Sequence, residues 1–454
     1  MKKRVLSLCL IIALLSAFLP AFYVGAAEEL GYSEEMYEHI IDSLSKDILE
    51  ISVFEYKLTV SQAHSLAQDL HDREPQFFYL QSGFSYSYSG GYVYSLYFSY
   101  DITDKAEREA AIKFVNDELD AIVETLPTGL DDLEKALYFH DYLCVNFQYD
   151  TDYEIYDVYN MLKYKKGVCQ AYTGIYDLLL ERVGIKNSTA SSSDHIWNIV
   201  YLDGEWYHID VTWGDPLYDT FGRACHDDFL APDSLFAETH GEYYSNYSAT
   251  DDTYVDYEWR YSHDSFGFAN GKTYMLDNDM IVEVDLRADA FEEIYKIDAS
   301  WKIGQFYYGT NSGFGSYKNR LIFNTADSIM YLEPESGEVG VIATPDIGSD
   351  VAIFDLYVSG NTVYYLYGSD YYADDIGTIE LAFEDEPKPE PEPEINANDI
   401  NGDGKVNMFD YVALKSHVLG KVLLDSDKQS RADVNGDGRI NMFDYLAVKT
   451  ACIK

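Results

Sequence analysis

Three short segments of the chain carry a cysteine, a histidine and an aspartate, the residue types of a thiol nucleophile with an acid–base partner. Cys169 stands just before the apolar run Ile175 to Leu180, whose length and composition predict a helix that begins near the cysteine. The first turn of a helix has free backbone N–H groups and a positive dipole end, and both stabilise a thiolate. The sequence therefore predicts a reactive thiol at a helix start.

The histidine and the aspartate lie on two alternating runs that flank Asp203-Gly204, a strong signal for a two-residue hairpin turn. Such a turn pairs positions whose numbers sum to 407, so we expect His195 opposite Thr212. Asp210 is then the diagonal neighbour of His195 on the same face, at roughly 7–8 Å between Cα atoms. This register places an imidazole beside a carboxylate.

These three groups together predict nucleophilic catalysis, although each of them alone is more typical of a structural residue. Cys169 would attack a carbonyl, His195 would hold the thiolate as an ion pair and protonate the leaving group, and Asp210 would orient the ring. The backbone N–H of Cys169 is one oxyanion donor. His208 shares the strand face of Asp210, and we interpret it as structural. The second oxyanion donor stays open among three residues that precede the nucleophile segment: Asn146, Gln148 and Tyr149.

Near the C-terminus, a 17-residue segment recurs after 34 residues with 12 identical positions. Each copy begins with a twelve-residue loop whose oxygen-bearing positions have EF-hand spacing, with a glycine at the sharp turn. The first loop would ligate calcium through Asp399, Asn401, Asp403, the carbonyl of Lys405, Asn407 and Asp410. The second would do so through Asp433, Asn435, Asp437, the carbonyl of Arg439, Asn441 and Asp444. The repeat predicts two bound calcium ions.

The composition restricts the compartment and the partners. A formal charge of −47 excludes a nucleic-acid or anionic-membrane surface. Lys2, Lys3 and Arg4, an apolar run to Phe22 and small residues before Ala26 and Ala27 predict a cleaved signal peptide, with a retained anchor as the alternative. The cysteines are few and widely spread, unlike a disulfide framework, and whether Cys144 pairs with Cys225 stays open.

The elements around these motifs indicate several domains. Residues 28–75 have helical periodicity, Gln76 to Tyr100 predicts a hairpin around Gly90-Gly91, and Thr103 to Thr125 predicts an amphipathic helix. Between 250 and 383, short apolar runs follow turn signals, which predicts an open β-sheet or a partial propeller-like domain. The expected domains are a signal peptide (1–26), an N-terminal α+β region (28–125), a catalytic domain (130–245), a β-rich domain (250–383), a Pro/Glu linker (384–395) and a calcium module (396–454).

The catalytic segments resemble the transglutaminase-like superfamily over about 130–220, through GVCQAYTG, DHIWN and WYHIDVTWGDP. The resemblance implies a papain-like α+β fold, the three roles given above for Cys169, His195 and Asp210, and no calcium at this site. Asp194 and Ile196 depart from the Gly and Ala that more often flank the histidine in this family.

The calcium module resembles the type I dockerins of cellulosomes over about 396–454. The resemblance implies an all-α module of paired EF-hand-like loops, folded by calcium, that binds a cohesin on a scaffold protein. Since the two copies nearly match, we expect either helix to dock. The alternative for the apolar contact positions is that they belong to the module's own core. The cohesin contacts that the family implies are Met408, Phe409, Lys415, Met442, Phe443 and Lys449.

Together these features predict a secreted, cellulosome-associated cysteine enzyme that acts on protein or peptide amides through a thioester. A peptidase is favoured over a cross-linking enzyme. The alternative is a scaffold-docked, non-catalytic component that binds protein or carbohydrate and carries a vestigial triad.

Overall fold

The structure is a computed structural model that describes residues 32–383, apart from nine single positions, and five isolated residues beyond them. The nine positions left out are 216, 218, 219, 299, 304, 305, 309, 310 and 371. The chain divides into two compact units, Met1–Phe383 and Glu384–Lys454. The predicted signal peptide, Pro/Glu linker and nearly all of the calcium module lie outside the described residues. No described helix combines the length and the apolar character needed to cross a bilayer.

The N-terminal region has a small hydrophobic core of its own. Its elements are α1 (Glu34–Ser45), β1 (Glu50–Ser52), α2 (Val60–Arg73), β2 (Ser85–Ser89) and β3 (Tyr92–Tyr97), with the sheet order β1-β3-β2. The hairpin turn uses Gly90 and Gly91, both at positive φ, as its position in the sequence predicts. The expectation of helix throughout 28–75 is wrong for residues 50–52. This segment pairs with β3 instead, because Ile51 is buried against the hairpin.

A larger core carries the three predicted catalytic segments. It begins with two capped helices, α3 (Lys105–Val123) and α4 (Asp132–Asn146), and Asp104 caps the first of them. The next elements are β4 (Gln148–Tyr149), α5 (Val158–Tyr164), β5 (Lys166–Gly167) and α6 (Cys169–Arg182). Then follow β6 (Asn187–Ser191), β7 (Ile196–Leu202), β8 (Glu205–Ile209), α7 (Val211–Gly214), β9 (Phe229–Ala231), α8 (Asp233–Thr239) and β10 (Tyr244–Ser245).

Helix α6 packs against a five-stranded sheet whose order is β10-β6-β7-β8-β9. The apolar residues of α6 from Ile175 to Leu180 are buried, and they meet Val200 and Ile209 of the sheet in one continuous core. This packing fixes the start of α6, where the cysteine stands, relative to the ends of the hairpin strands.

The region from 267 to 380 consists of antiparallel strands. The first meander contains β11 (Gly267–Ala269), β12 (Lys272–Asp277), β13 (Met280–Asp285) and β14 (Ala290–Lys296). A two-stranded pair, β15 (Trp301–Ile303) and β16 (Phe306–Tyr308), follows it. The second meander contains β17 (Phe314–Tyr317), β18 (Arg320–Asn324), β19 (Ile329–Glu333) and β20 (Glu338–Ala343). The third contains β21 (Ala352–Ser359), β22 (Thr362–Gly368) and β23 (Asp375–Glu380).

The first strands of successive meanders contact one another, β11 with β17 and β17 with β21. The catalytic and β-rich regions also share hydrophobic core, since Trp259, Phe266 and Phe268 belong to the same cluster as α4 and α6. The backbone N–H of Phe266 donates to Asp141 Oδ2 at 2.7 Å, which ties the start of the first meander to α4. The catalytic region and the first meander therefore share one hydrophobic core.

Candidate active site

The backbone around Cys169 is held by a short parallel strand pair and by close packing. β4 and β5 pair in the register Tyr149↔Gly167, two residues before the cysteine. A Cβ on Gly167 would lie 2.7 Å from Met161 Sδ and 2.9 Å from Ala171 Cβ, so only glycine fits between α5 and α6 at this point. Val168 is the N-cap residue of α6, and Cys169 is its first helical residue. The thiol thus stands at the helix start that the sequence predicts.

The hairpin register is the predicted one, but its strands end earlier than expected. The pairs Asn198↔Ile209 and Leu202↔Glu205 both sum to 407. The expected strand continuation to Trp213 is wrong, because β8 ends at Ile209 and Asp210 caps the one-turn helix α7. Asp210 Oδ1 accepts the backbone N–H groups of Thr212 and Trp213 at 2.9 and 3.2 Å, and these bonds turn the chain out of the sheet.

His195 and Asp210 nevertheless meet directly. His195 Nε2 lies 2.5 Å from Asp210 Oδ2, with the carboxylate fully buried and the imidazole side chain 16% exposed. Cys169 lies close enough to His195 for its side chain to raise the pKa of that imidazole. The structure therefore brings the three predicted residues together in the order thiol, imidazole, carboxylate, with the partly exposed imidazole in the middle.

The charges of this group favour a protonated imidazole. Burial lowers the pKa of His195, but its interactions with Asp210 and Cys169 outweigh this effect and raise the pKa to about 10. Burial raises the pKa of the Asp210 carboxyl, and the hydrogen bonds from His195 and His240 outweigh it, so this pKa lies below its usual range. An imidazolium between a thiolate and a carboxylate is the arrangement that a cysteine nucleophile needs.

A second histidine contacts the same carboxylate, and the sequence reasoning missed it. His240 follows α8, and its Nε2 lies 3.0 Å from Asp210 Oδ2, while its Nδ1 lies 2.8 Å from Thr239 Oγ1. The His240 ring is 1% exposed and stacks on Trp213 at 4.1 Å between ring centroids. Since His240 is 30 residues beyond Asp210 and in no motif, nothing local in the sequence indicates the contact.

His208 has the environment of a structural residue, as interpreted from the sequence. Trp197 Nε1 donates to His208 Nδ1 at 2.9 Å, and His208 Nε2 lies 2.9 Å from Asp233 Oδ1. Burial lowers the pKa of His208, although its contact with Asp233 opposes this effect. Both ring nitrogens are therefore occupied within the fold.

In two groups of described residues, side chains of the types that bind metals lie close together. One group is His195, Asp210 and His240, and the other is the buried group His140, Asp141 and His226. In the second group Asp141 Oδ1 lies 2.9 Å from His140 Nδ1 and 2.8 Å from His226 Nε2. Hydrogen bonds between the imidazoles and a carboxylate account for both arrangements without an ion.

Of the three candidates for a second oxyanion donor, Tyr149 interacts with Cys169, while the amide of Asn146 is engaged within the fold. Asn146 Nδ2 donates to the carbonyl of Tyr142 at 2.8 Å, so its amide is already engaged. Burial is the main cause that raises the pKa of Tyr149, to about 12, and the interaction with Cys169 is the next largest. Tyr149 therefore stays a hydrogen-bond donor at neutral pH beside the thiol.

Comparison with known proteins adds two assignments. The sequence model of the transglutaminase-like superfamily matches residues 120–211, and that of the type I dockerin domain matches residues 397–451. The chain carries a transglutaminase-like domain and a type I dockerin. The transglutaminase-like domain thus covers the thiol, the imidazole and the carboxylate, and the dockerin covers both predicted calcium loops.

Two curated relatives are kyphoscoliosis peptidases. The mouse protein is 26% identical over 140 residues, which are 26% of this chain and 21% of the relative. The human protein is 27% identical over 150 residues, which are 27% of this chain and 23% of the relative. The chain thus spans less than a quarter of the length of these relatives. A solved structure described as a TGase is 15% identical over 36% of this chain and 50% of its own, with a TM-score of 0.20.

The calcium ligands and cohesin contacts predicted for the dockerin all lie outside the described residues, as does the all-α arrangement of its paired loops. Type I dockerins bind calcium, and the oxygen donors of both loops suit that hard cation. The dockerin also implies a cohesin partner on a scaffold protein, and this points to an extracellular, cellulosome-associated protein.

The described cysteines, Cys144, Cys169 and Cys225, are free thiols. Cys144 and Cys225 form no disulfide, and Cys144 is buried. Burial, together with nearby carboxylates including Asp215, raises the pKa of the Cys144 thiol well above its usual range. Cys144 is therefore inert, unlike the partly exposed thiol of Cys169.

The pH dependence of activity provides a test of the imidazole–carboxylate pair. We expect kcat/KM to fall at alkaline pH with an apparent pKa of about 10, because His195 then loses the proton that the leaving group needs. Asp210→Asn should move this limb to lower pH, because the charge and hydrogen bond of the carboxylate raise the pKa of His195. The measurement is a pH–rate profile with a chromogenic amide.

The matched control is Asp194→Asn, which removes the same charge from the exposed neighbour of His195. Asp194 is not among the largest causes of the pKa shift of His195, so the alkaline limb should move much less than in Asp210→Asn. An Asp210→Asn profile identical to that of the unmodified enzyme would contradict the assigned role of the carboxylate.

Proposed function

We propose that this protein is a secreted cysteine enzyme of the transglutaminase-like type that acts on protein or peptide amides through a thioester. The observation that carries the proposal is that His195 Nε2 lies 2.5 Å from Asp210 Oδ2, while Cys169 at the start of α6 is close enough to raise the pKa of His195. Cys169 attacks the carbonyl carbon, and the C–N bond breaks as His195 gives its proton to the leaving amine. Water or a second amine then attacks the thioester and releases the thiolate.

Several neighbouring groups support this chemistry. The backbone N–H of Cys169 and the phenol of Tyr149 donate to the oxyanion that develops in the first step. Asp210 orients His195, and four donors hold Asp210 itself: the two imidazoles and the backbone N–H groups of Thr212 and Trp213. A carboxylate with this many donors stays ionised and fixed in rotation.

The dockerin anchors this enzyme to a scaffold. Loop residues 399–410 and 433–444 each hold one calcium ion, and the module then binds a cohesin through either helix. The apolar pairs Met408–Phe409 and Met442–Phe443, with Lys415 and Lys449, form the two alternative contact surfaces. The enzyme acts outside the cell after its signal peptide is removed.

A peptidase is favoured over a cross-linking enzyme, and the nature of the acceptor separates the two. Purified enzyme is incubated with a peptide library, with and without an excess of a primary amine, and the products are identified by mass spectrometry. A peptidase produces shortened peptides without the amine, since water resolves the thioester. Products that form only in the presence of the amine would contradict the peptidase proposal and favour acyl transfer.

The alternative is a scaffold-docked component that binds carbohydrate or protein and has a vestigial triad. Exposed aromatic side chains of the N-terminal region favour it: Phe54 is 58% exposed and stacks on Tyr94 at 4.9 Å between ring centroids. Aromatic faces of this kind stack on sugar rings or peptide side chains. An inert Cys169 thiol would be expected in such a protein.

A further inference from the structure

A cleft of about 730 Å³ lies between the N-terminal region and the start of helix α6. Gln170, the residue after the proposed nucleophile, lines it together with Gly174 one turn further along. On the opposite side, the His71 Nε2 atom lies 2.6 Å from Gln170 Nε2. A Cβ on Gly174 would lie 2.9 Å from Pro75 Cβ, so the two regions are in close contact there. The cleft thus reaches the residue next to Cys169.

A second lining residue, Tyr156, also relates the cleft to the proposed active site. Tyr156 lines the cleft and is exposed. It is also close enough to Tyr149, the proposed oxyanion donor, to contribute to the pKa of that phenol, as Cys169 does. Since Gln170 adjoins Cys169 in the chain, the cleft borders the segment that carries the thiol.

The lining of the cleft combines apolar surface with negative charge. Its lining residues include four carboxylates, Asp72, Glu74, Asp101 and Asp157, and none of the described lining residues is a Lys or Arg. The apolar lining residues include Leu70, Phe77, Phe78, Leu80, Phe84 and Phe98. Such a lining complements a ligand that has both apolar and cationic side chains.

Three of the carboxylates accept hydrogen bonds within the fold, and the fourth, Asp101, is exposed. Asp157 caps α5, and Glu74 accepts a hydrogen bond from Tyr37. Asp72 accepts from the amide of Gln68, and no Lys or Arg in the described part of the chain lies within ion-pair distance of Asp72 or Asp101. Burial raises the pKa of Asp72, against the lowering effects of Gln68 and His71. A cationic ligand would relieve this cost of ionisation.

We propose that this cleft binds the substrate segment next to the reacting carbonyl, and that it selects apolar peptides that carry Lys or Arg. The proposal rests on the proposed function and deepens it by naming the substrate class. Asp72 and Asp101 bind the cationic side chain, and the phenylalanines of the N-terminal region bind the apolar ones. The N-terminal region is then part of the substrate site of the transglutaminase-like domain.

The test separates binding from turnover. Full-length Cys169→Ala protein with calcium is titrated against two fluorescein-labelled peptides, one alternating Leu with Lys and one alternating Leu with Glu, and polarisation is measured at physiological ionic strength. We expect the Leu/Lys peptide to bind at least about tenfold more tightly, and the double variant Asp72→Asn/Asp101→Asn to lose at least about fivefold of that affinity. Equal affinity for the two peptides would overturn the proposal.

The strongly negative chain attracts basic peptides in any case, so the matched control removes two charges elsewhere. Asp374→Asn/Asp375→Asn changes exposed carboxylates of the β-rich region, and its affinity for the Leu/Lys peptide should stay unchanged. Equal losses in both double variants would show that only net charge matters, and the cleft proposal would be wrong. Selective binding without cleavage or acyl transfer by the unmodified enzyme would instead contradict the proposed function and leave the cleft assignment intact.

Discussion

Replacing Cys169 with Ala is expected to lower kcat/KM for peptide amides by about 10⁴-fold or more, because the substituted protein has no nucleophile to form the thioester. Tyr149→Phe should lower kcat by about 10²-fold, since it removes one oxyanion donor and leaves the thiol and the imidazole in place. Both variants are compared with the unmodified enzyme in a continuous assay with the best peptide from the library.

The matched control is Cys225→Ala, which removes another free thiol of the same domain and should retain activity. Alkylation by iodoacetamide at acidic pH provides a second readout. The unmodified enzyme should incorporate the label at Cys169, because this free thiol is partly exposed and lies beside the protonated imidazole of His195. A Cys169→Ala variant that keeps more than a tenth of the activity would refute the nucleophile assignment. An inert Cys169 in the unmodified protein would favour the non-catalytic alternative.

Removing calcium should have the second large effect, on the dockerin alone. Excess chelator is expected to weaken cohesin binding by about 10³-fold or more, because the carboxylates of each loop repel one another without the cation that organises them. Each loop brings three of them, Asp399, Asp403 and Asp410 in the first and Asp433, Asp437 and Asp444 in the second. Peptide turnover should be unchanged, since the catalytic residues belong to the other compact unit. Calorimetry with a type I cohesin measures the first quantity.

Two controls sharpen this experiment. Magnesium should fail to restore binding, because it demands a smaller, near-octahedral site and gives up its water reluctantly. Met442→Ala/Phe443→Ala should retain most of the affinity, because the helix that carries Met408 and Phe409 can dock instead. Complete loss in that double variant would show that only one helix docks. Loss of peptide turnover on chelation would contradict the absence of calcium from the catalytic chemistry.

The sequence alone was sufficient for the elements whose signals are local. The Asp203-Gly204 turn determined the pairing Asn198↔Ile209, and the apolar run after Cys169 determined a helix from Cys169 to Arg182. The structure has both because a tight turn leaves one register, and because an apolar stripe of helical length has one way to face the core. The repeated calcium loops also rest on a local signal, since all of their ligands fall within twelve residues, but they lie outside the described residues and stay a prediction.

Tertiary packing decided the features that join distant residues. The end of β8 at Ile209 depends on Asp210, which caps α7 while it holds two imidazoles, so one side chain serves both the backbone and the site. His240 reaches that carboxylate only because α8 returns across the end of the hairpin. The cleft beside Gln170 exists because the N-terminal region packs on α6, about a hundred residues away in sequence. Short-range patterns carry no information about such contacts, since they depend on which surfaces bury each other.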